Sequence, residues 1–296
     1  MRILLITDTH LAPEATPCTK NWLAAKAFAR RSASDLTIHL GDITFDGIDN
    51  EEQHDFALAA CADWPTPLRF IPGNHDVGDN PPGPGVAASQ PLDQKELARY
   101  CGMFGRDYWS FEAGPWLIIA LDAQLLGSDT PAETAQWQWL ESRLDAASGR
   151  PIALLLHKPL FADDPQEATP HIRYVPKAPR LELLQRLAKV DLRLVVSGHT
   201  HQYLDRVIDG VRHIWVPSAA FFIPDGAQER IGEKVVALGV LELDAAGYSF
   251  DLVCPEGMTQ WSGSHPILSE MAAHSRSLNG AAPARASGGN GGAGDK

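Results

Sequence analysis

Five short apolar runs in this chain each end abruptly at side chains that can bind a metal ion. The runs and the polar residues that follow them are 3–6 with Asp8 and His10, 36–40 with Asp42, 68–71 with Asn74, His75 and Asp76, 154–156 with His157, and 192–196 with His199 and His201. A short apolar run closed by Gly or Pro is typical of a buried strand. In α/β folds the ligand site lies just beyond the carboxyl ends of such strands. The five runs therefore predict one convergent site, and we expect it to hold metal.

The size and charge of the chain narrow the classes of protein that it can belong to. Its 296 residues are enough for one large core or at most two domains. No run approaches the roughly 18 apolar residues of a membrane helix, so we expect no membrane span. The net charge of -12 makes binding to a nucleic-acid backbone a poor prospect.

The amino-terminal residues and the cysteines bear on the cellular compartment. The first apolar stretch stops at Asp8, which does not resemble a signal peptide. The cysteines are scattered and form no C-x-x-C pair: Cys18, Cys61, Cys101 and Cys254. This pattern indicates reduced thiols instead of a disulfide framework or a zinc knuckle. We therefore expect a cytoplasmic protein.

The order of predicted elements indicates the fold class. Strands and helices alternate in the first half, with helices predicted over 21–31, 51–62, 94–100, 131–146 and 181–188, and the chain is rich in strands after residue 201. This order predicts an α/β fold of the layered, mixed α+β type. The proline-rich segment 158–179 predicts a lid or substrate loop. The composition of residues 262–296 predicts a disordered tail, which leaves a catalytic domain over 1–261.

The predicted ligands are of mixed chemistry. Without His75, the strand ends supply two carboxylates, one carboxamide and four imidazoles. Such nitrogen and oxygen ligands suit Mn, Fe or Zn better than Ca or Mg. Seven ligands are too many for one tetrahedral ion with an open position. They suit two ions that share a carboxylate, an arrangement that can hold both reacting oxygens of a phosphoryl displacement.

The five motifs together resemble those of the calcineurin-like metallophosphoesterase superfamily. They are Asp8-Thr9-His10, Gly41-Asp42, Gly73-Asn74-His75-Asp76, His157 and Gly198-His199-Thr200-His201, in the order and spacing of that superfamily. Any one of them is weak alone, whereas five in order, each after an apolar run, are strongly specific. The resemblance implies a two-sheet β-sandwich flanked by helices.

The resemblance also implies a role for each residue. Asp8, His10 and His201 would bind the first metal, Asn74, His157 and His199 would bind the second, and Asp42 would bridge the two. His75 would contact the phosphate and stabilise or protonate the leaving oxygen. Asp76 would orient His75, as carboxylates commonly orient catalytic imidazoles.

The function that the resemblance implies is hydrolysis of a phosphoester by a hydroxide that bridges two metal ions. Purple acid phosphatases carry a tyrosine ligand three residues after the bridging aspartate, and this chain has Phe45 there. The motifs are more similar to those of bacterial phosphodiesterases that act on cyclic nucleotides or glycerophosphodiesters. A small-molecule phosphodiester is therefore the expected substrate. A phosphomonoesterase and a non-catalytic scaffold are the alternatives, and the oligomeric state stays open.

Overall fold

Two mixed β-sheets form the centre of the fold in a computed structural model that describes residues 1–83 and 85–281. The strands are β1 Arg2–Ile6, β2 Leu36–His39, β3 Leu68–Phe70, β4 Trp109–Ala113, β5 Trp116–Ala120, β6 Ile152–Leu155, β7 Leu192–Ser197, β8 Leu204–Ile208, β9 Val211–Trp215, β10 Leu238–Leu243 and β11 Tyr248–Val253. The first sheet has the order β11-β10-β1-β2-β3, and the second has the order β4-β5-β6-β7-β9-β8.

Helices connect and flank the strands of the two sheets. They are α1 Thr16–Ala29, α2 Glu51–Cys61, α3 Asn74–Val77, α4 Gln94–Phe104, α5 Pro131–Asp145, α6 Lys177–Leu187 and α7 Pro266–Ala281, with a 3-10 turn at Ala123–Leu125. The side chain of Asn50 accepts a hydrogen bond from the backbone N–H of Glu52 (3.1 Å) and caps α2. No helix in the described ranges is both long and apolar enough to cross a membrane.

Alternating side chains of the strands build three hydrophobic layers. In β1, Ile3 and Leu5 point into a core shared by both sheets, whereas Leu4 and Ile6 pack against α1, α2 and α4. On the far side, Leu154 of β6 packs with α5 and α6. The period-two pattern of buried residues therefore places helices on both outer faces of a sandwich. This confirms the predicted α/β layers.

The parallel strands place the predicted ligands at one edge of the sandwich. In the first sheet, neighbouring strands run parallel in the order β1, β2, β3. In the second sheet, neighbouring strands run parallel in the order β5, β6, β7, β9. Carboxyl ends of parallel strands share an edge. The loops after β1, β2, β3, β6 and β7 therefore converge, as the sequence predicts.

The C-terminal segment differs from the expectation of a disordered tail from residue 262. Residues 266–281 form α7, and Leu268 of this helix is only 1% exposed. It packs in a cluster with Phe45 and Phe221. The expected disorder is therefore wrong for α7, and residues 282–296 lie outside the described residues.

Removing the Leu268 side chain tests how firmly α7 is docked. Because that side chain is buried, Leu268→Ala should lower the free energy of unfolding by about 2 kcal/mol. Glu270→Ala on the exposed face of α7 is the matched control and should stay within about 0.5 kcal/mol of wild type. Urea denaturation measures both variants, and equal stabilities would contradict the docking of α7.

Candidate metal centre

Most of the predicted ligands lie in loops with an unusual backbone conformation. The positive φ angles among them are 52° at Asp8, 46° at His10, 53° at Asp42, 67° at His199 and 53° at His201. A residue other than glycine in this left-handed region carries about 1–3 kcal/mol of strain and persists only where surrounding contacts enforce it. The chain therefore turns sharply after β1, β2 and β7 and points these ligands into one centre.

Two glycines permit the close approach of these loops. A Cβ atom at Gly73 would collide with the backbone N and the carboxylate of Asp42, and one at Gly198 would collide with the Thr7 hydroxyl. Neither position can carry a side chain without moving a loop that holds a ligand. Steric exclusion of a Cβ atom therefore explains why these two positions of the sequence motifs are glycines.

The first group of ligands comprises Asp8, His10 and His201. The Nε2 atoms of His10 and His201 lie 3.1 Å apart, and His201 Nε2 lies 3.4 Å from Asp8 Oδ1. The Nδ1 atom of His201 donates to the carbonyl of Phe221 (2.7 Å). This bond places the ring proton on Nδ1 and leaves the Nε2 lone pair directed at the centre.

The second group comprises His157 and His199. His157 Nε2 lies 3.1 Å from His199 Nδ1, and His157 Nδ1 donates to the carbonyl of Leu40 (2.8 Å). His199 is oriented the other way round, because its Nε2 donates to the carbonyl of Ile172 (3.2 Å). Each imidazole is thus bonded through one nitrogen to a backbone carbonyl and directs the other nitrogen inward.

The carboxylate of Asp42 lies between the two groups. Its Oδ2 atom is 3.3 Å from His157 Nε2 and 4.0 Å from His10 Nε2. Its Oδ1 atom accepts a hydrogen bond from the backbone N–H of His75 (2.9 Å). Asp42 is therefore placed to serve both groups at once, as the predicted bridging role requires.

These contacts fit a pair of cations. The two inward nitrogens of His157 and His199 carry lone pairs that repel at 3.1 Å unless they share a proton or a metal ion. Within the part of the chain that the structure describes, Asp8 Oδ1 and Asn74 Oδ1 are buried acceptors without a hydrogen-bond partner. Buried polar atoms without partners are costly, and a bound cation would satisfy them. Among the described residues, the atoms that could bind a metal ion form three overlapping sets, and the atoms of each set lie within 4.8 Å of one another. The sets are Asp8-His10-His201, His10-Asp42-His75 and Asp42-His157-His199.

His75 lies in the same centre but is held differently from the prediction. Its Nδ1 atom donates to the carbonyl of Phe45 (2.6 Å). The Asp76 carboxylate instead accepts bonds from the backbone N–H groups of Ile43, Thr44 and Gly73, and from the Thr44 hydroxyl. The predicted role of Asp76 in orienting His75 is therefore wrong. Asp76 holds the loop that carries Asp42 against the loop that carries Asn74.

Four backbone carbonyls with a functional position were missed by sequence reasoning. They belong to Leu40, Phe45, Ile172 and Phe221, and each accepts a hydrogen bond from an imidazole of the centre. A carbonyl leaves no mark in the side-chain pattern, so no sequence signal could have found them. Phe45 and Phe221 also contact the His10 ring, with centroids 5.7 and 5.2 Å apart.

The electrostatics of the centre follow from burial and from these pairs. Burial by itself lowers the pKa of His157, but the Asp42 carboxylate outweighs it and raises the pKa to about 9. Burial, together with His157, holds the pKa of His199 well below its usual value. Burial would raise the pKa of Asp8, yet His201 lowers it below the usual range of a carboxyl. The centre thus favours the ionised form of the Asp8 carboxylate and the protonated form of His157.

The raised pKa of His157 predicts that metal binding releases a proton. His157 is protonated below pH 9 and must be neutral to bind a metal, so its contribution to the affinity for Mn²⁺ should grow about tenfold per pH unit up to pH 9. Calorimetric titration at pH 7 in buffers of different ionisation enthalpy counts the protons released. A titration without proton release would contradict this assignment.

The same shift makes the stability of the metal-free protein depend on pH. The pKa of His157 in the folded protein lies above the value of 6.5 for a free histidine. Its contribution to the free energy of unfolding is therefore complete below pH 6.5 and is lost as the pH rises to about 9. Thermal unfolding of the metal-free protein between pH 6.5 and 9 measures this loss of stability.

Replacing Gly73 tests the steric requirement at the centre. Gly73→Ala should displace Asp42 and lower the number of metal ions bound per chain. Gly102→Ala is the matched control, because Gly102 lies in α4 and a Cβ there meets nothing within 4 Å. It should stabilise the protein by roughly 0.5–1 kcal/mol and leave metal binding unchanged. Full metal content in Gly73→Ala, measured by elemental analysis, would argue against this reading.

Known proteins share both the sequence and the fold of this chain. A curated relative is the serine/threonine-protein phosphatase CPPED1 of Mus musculus, which is 31% identical over 213 residues that cover 68% of this chain and 61% of that protein. Another is the 3',5'-cyclic adenosine monophosphate phosphodiesterase CpdA of Escherichia coli strain K12, which is 29% identical over 83% of this chain and 86% of that protein. The alignments with the zebrafish and mouse CPPED1 proteins span only 60% and 61% of their lengths.

A solved structure and a family profile agree with these relatives. A dimetal phosphatase from Danio rerio has a similar fold, with a TM-score of 0.58 at 14% identity over 85% of this chain and 95% of that one. Residues 1–203 match the profile of the family described as calcineurin-like phosphoesterase. That match covers all five sequence motifs and well over half of the chain. The chain belongs to the calcineurin-like phosphoesterase family.

Proposed function

We propose that this protein is a dinuclear metal-dependent phosphodiesterase that acts on a small phosphodiester of the cyclic-nucleotide or glycerophosphodiester class. The observation that carries the proposal is the two groups of inward-facing imidazoles, joined by the buried Asp42 carboxylate and flanked by His75. A scaffold on the same fold would have no need for buried acceptors such as Asp8 Oδ1 and Asn74 Oδ1, which accept no hydrogen bond from the described residues.

The ligand assignment follows the two groups. Asp8, His10 and His201 would bind one ion, Asn74, His157 and His199 would bind the other, and Asp42 would contact both. When bound, such ions neutralise phosphate charge and activate solvent for attack at phosphorus. The nitrogen and oxygen ligands suit Mn, Fe or Zn.

We assign to His75 the role of stabilising or protonating the leaving group. The Nδ1–H group of His75 donates a hydrogen bond to the Phe45 carbonyl, which leaves Nε2 available to the substrate. In its imidazolium form, His75 can donate from Nε2 to a phosphate oxygen or to the departing alkoxide. The bond between its backbone N–H and Asp42 Oδ1 fixes the distance from this acid to the metal ligands.

The charges around the centre favour a diester over a monoester. A monoester carries a second negative charge and calls for further cations in the pocket. Arg180 is only 3% exposed and donates to loop carbonyls, and Lys158 is fully buried against Asp79 and Asn80. Neither side chain is available to a substrate phosphate. The match to CpdA over most of both chains points in the same direction.

A phosphomonoesterase is the second candidate. The observation that favours it is the 31% identity to a protein named as a serine/threonine-protein phosphatase. Arg173 and Lys177, in the segment between β6 and α6, are the cations left for a monoester dianion. Cys18, Cys61, Cys101 and Cys254 are all free thiols, which fits a reducing compartment such as the cytoplasm for either activity.

The substrate preference can be measured with two esters of one chromogenic phenol. Metal-stripped protein reconstituted with Mn²⁺ should hydrolyse bis(p-nitrophenyl) phosphate at least tenfold faster than p-nitrophenyl phosphate, on the charge argument above. Asn74→Ala should lower the diester rate by about 10–100-fold, the usual effect of disturbing a metal site. Asn50→Ala, which loses only the cap of α2, should keep the rate at the cost of about 1 kcal/mol of stability.

The possible outcomes separate the candidates. Diester preference that is lost in Asn74→Ala supports the proposal and leads to a comparison of cyclic nucleotides with glycerophosphodiesters. Monoester preference with the same mutational pattern transfers the assignment to a phosphatase. A protein that neither binds Mn²⁺ nor hydrolyses either ester would overturn both.

A further inference from the structure

One inward-facing histidine, His199, depends on the long segment between β6 and α6. The imidazoles of His157 and His201 are held by the carbonyls of Leu40, next to the end of β2, and of Phe221. His199 is held instead by the carbonyl of Ile172, 3.2 Å from its Nε2 atom. Ile172 belongs to the segment 159–176, which links β6 to α6 and contains neither helix nor strand. Its side chain is 58% exposed, so packing of Ile172 does not hold this carbonyl in place.

Arg180 is the side chain that holds this segment together. It lies in the first turns of α6, and its guanidinium donates to the carbonyls of Leu160 (3.1 Å) and Val175 (3.4 Å) and to the carbonyl of Glu167. These acceptors lie near the start, the end and the middle of the segment. The planar, forked geometry of a guanidinium suits such a distributed set of acceptors, which an ammonium group could not reach together.

The burial of Arg180 needs an explanation beyond stability. The side chain is 3% exposed, and within the described ranges no carboxylate lies within ion-pair distance of it. Burial of a charge is costly, and here only the more distant carboxylates of Glu167 and Asp164 compensate it. The Nη groups of Arg180 donate to backbone carbonyls of the loop, and among the described residues its Nε–H has no hydrogen-bond partner. The hydrogen bonds of this buried side chain are therefore directed at the loop backbone.

Further contacts join the loop to the rest of the site. Val175 donates its backbone N–H to the carbonyl of Pro159 (2.9 Å), which closes the base of the loop. Lys158 binds Asp79 and Asn80, and Pro170 lies against Gly83. These contacts join both ends and one side of residues 159–176 to the rest of the protein and support the position of the Ile172 carbonyl.

Given the dinuclear centre proposed above, we infer that Arg180 is a positioning residue for the metal ligand His199. Arg180 sets the loop, the loop sets the Ile172 carbonyl, and this carbonyl keeps the proton of His199 on Nε2. The Nδ1 lone pair then faces His157 Nε2 at 3.1 Å, where the second metal would bind. Hydrogen-bond partners of this kind fix the tautomer and the orientation of histidine ligands.

Arg180→Gln tests the inference, with Arg186→Gln as the matched control on the same helix. Arg186 pairs with Glu141 and Glu182 and stacks on Trp137, away from the loop. Nitrogen-15 NMR of histidine-labelled, metal-free protein at about pH 10, where His157 no longer donates a proton from Nε2 to His199, should show His199 as a pure Nε2–H tautomer in wild type and in Arg186→Gln. In Arg180→Gln it should be a mixture of tautomers.

Titration with Mn²⁺ supplies a second readout that does not require activity. Binding of the second equivalent should weaken by about 10–100-fold in Arg180→Gln, the usual effect of losing such a partner, while the first equivalent stays within a factor of three. Arg186→Gln should bind both equivalents as wild type does. Should Arg180→Gln fail to fold, Arg180→Lys keeps the charge and is expected to show the same change at smaller size.

The outcomes distinguish this inference from the proposed function. Wild-type protein that binds no Mn²⁺ would overturn the dinuclear enzyme itself. Wild type that binds two ions, together with an Arg180→Gln protein of unchanged His199 tautomer and unchanged second affinity, would overturn only the role of Arg180. Equal losses in Arg180→Gln and Arg186→Gln would show a general effect of stability and would also refute the inference.

Discussion

The hydrogen bond from an imidazole N–H to a backbone carbonyl is the contact on which the centre depends. A neutral histidine is a ligand through only one nitrogen, and the partner of the other nitrogen decides which one. In this chain Leu40, Phe221 and Ile172 supply that partner to His157, His201 and His199. The carbonyls come from different parts of the chain, so the ligand set exists only when both sheets and their connecting loops are in place.

The strained backbone and the close packing of the loops are two consequences of that requirement. Ligands from both sheets can reach one centre only if each loop turns immediately after its strand, which drives Asp8 and His10 into the left-handed region. The same compression leaves no room for a Cβ atom at Gly73. The hydrogen bonds of Asp76 to Ile43, Thr44 and Gly73 help to offset this strain.

The ligands could be predicted from the sequence because they are local to their strands. An apolar run predicts a buried strand, and a carboxylate or imidazole directly after it predicts a place at the sheet edge. The role of Asp76 could not be predicted in this way, because apart from Gly73 its partners, Ile43 and Thr44, lie in a loop that is distant in sequence. Phe45 and Ile172 act through carbonyls, which every residue has, so their side chains carried no signal.

The error over α7 has a different origin. Composition averaged over residues 262–296 is dominated by the Ala-, Gly- and Ser-rich end, and it obscured a short apolar stripe at Leu268, Met271 and Ala272. That stripe has the spacing of one helix face, and it packs in the cluster that contains Phe45 and Phe221. A window of one helix length would have detected it.

Different parts of the chain therefore hold the side chains on the two sides of the centre. The side of His75 and His201 is backed by Phe45 and Phe221, whose cluster is completed by α7, an element beyond the residues that match the family profile. The side of His199 is backed by a loop that Arg180 holds. Substrate-determining loops commonly vary on a constant scaffold. Here α7 and the 159–176 loop lie next to groups that would bind metal, so a change in either is expected to act on metal affinity.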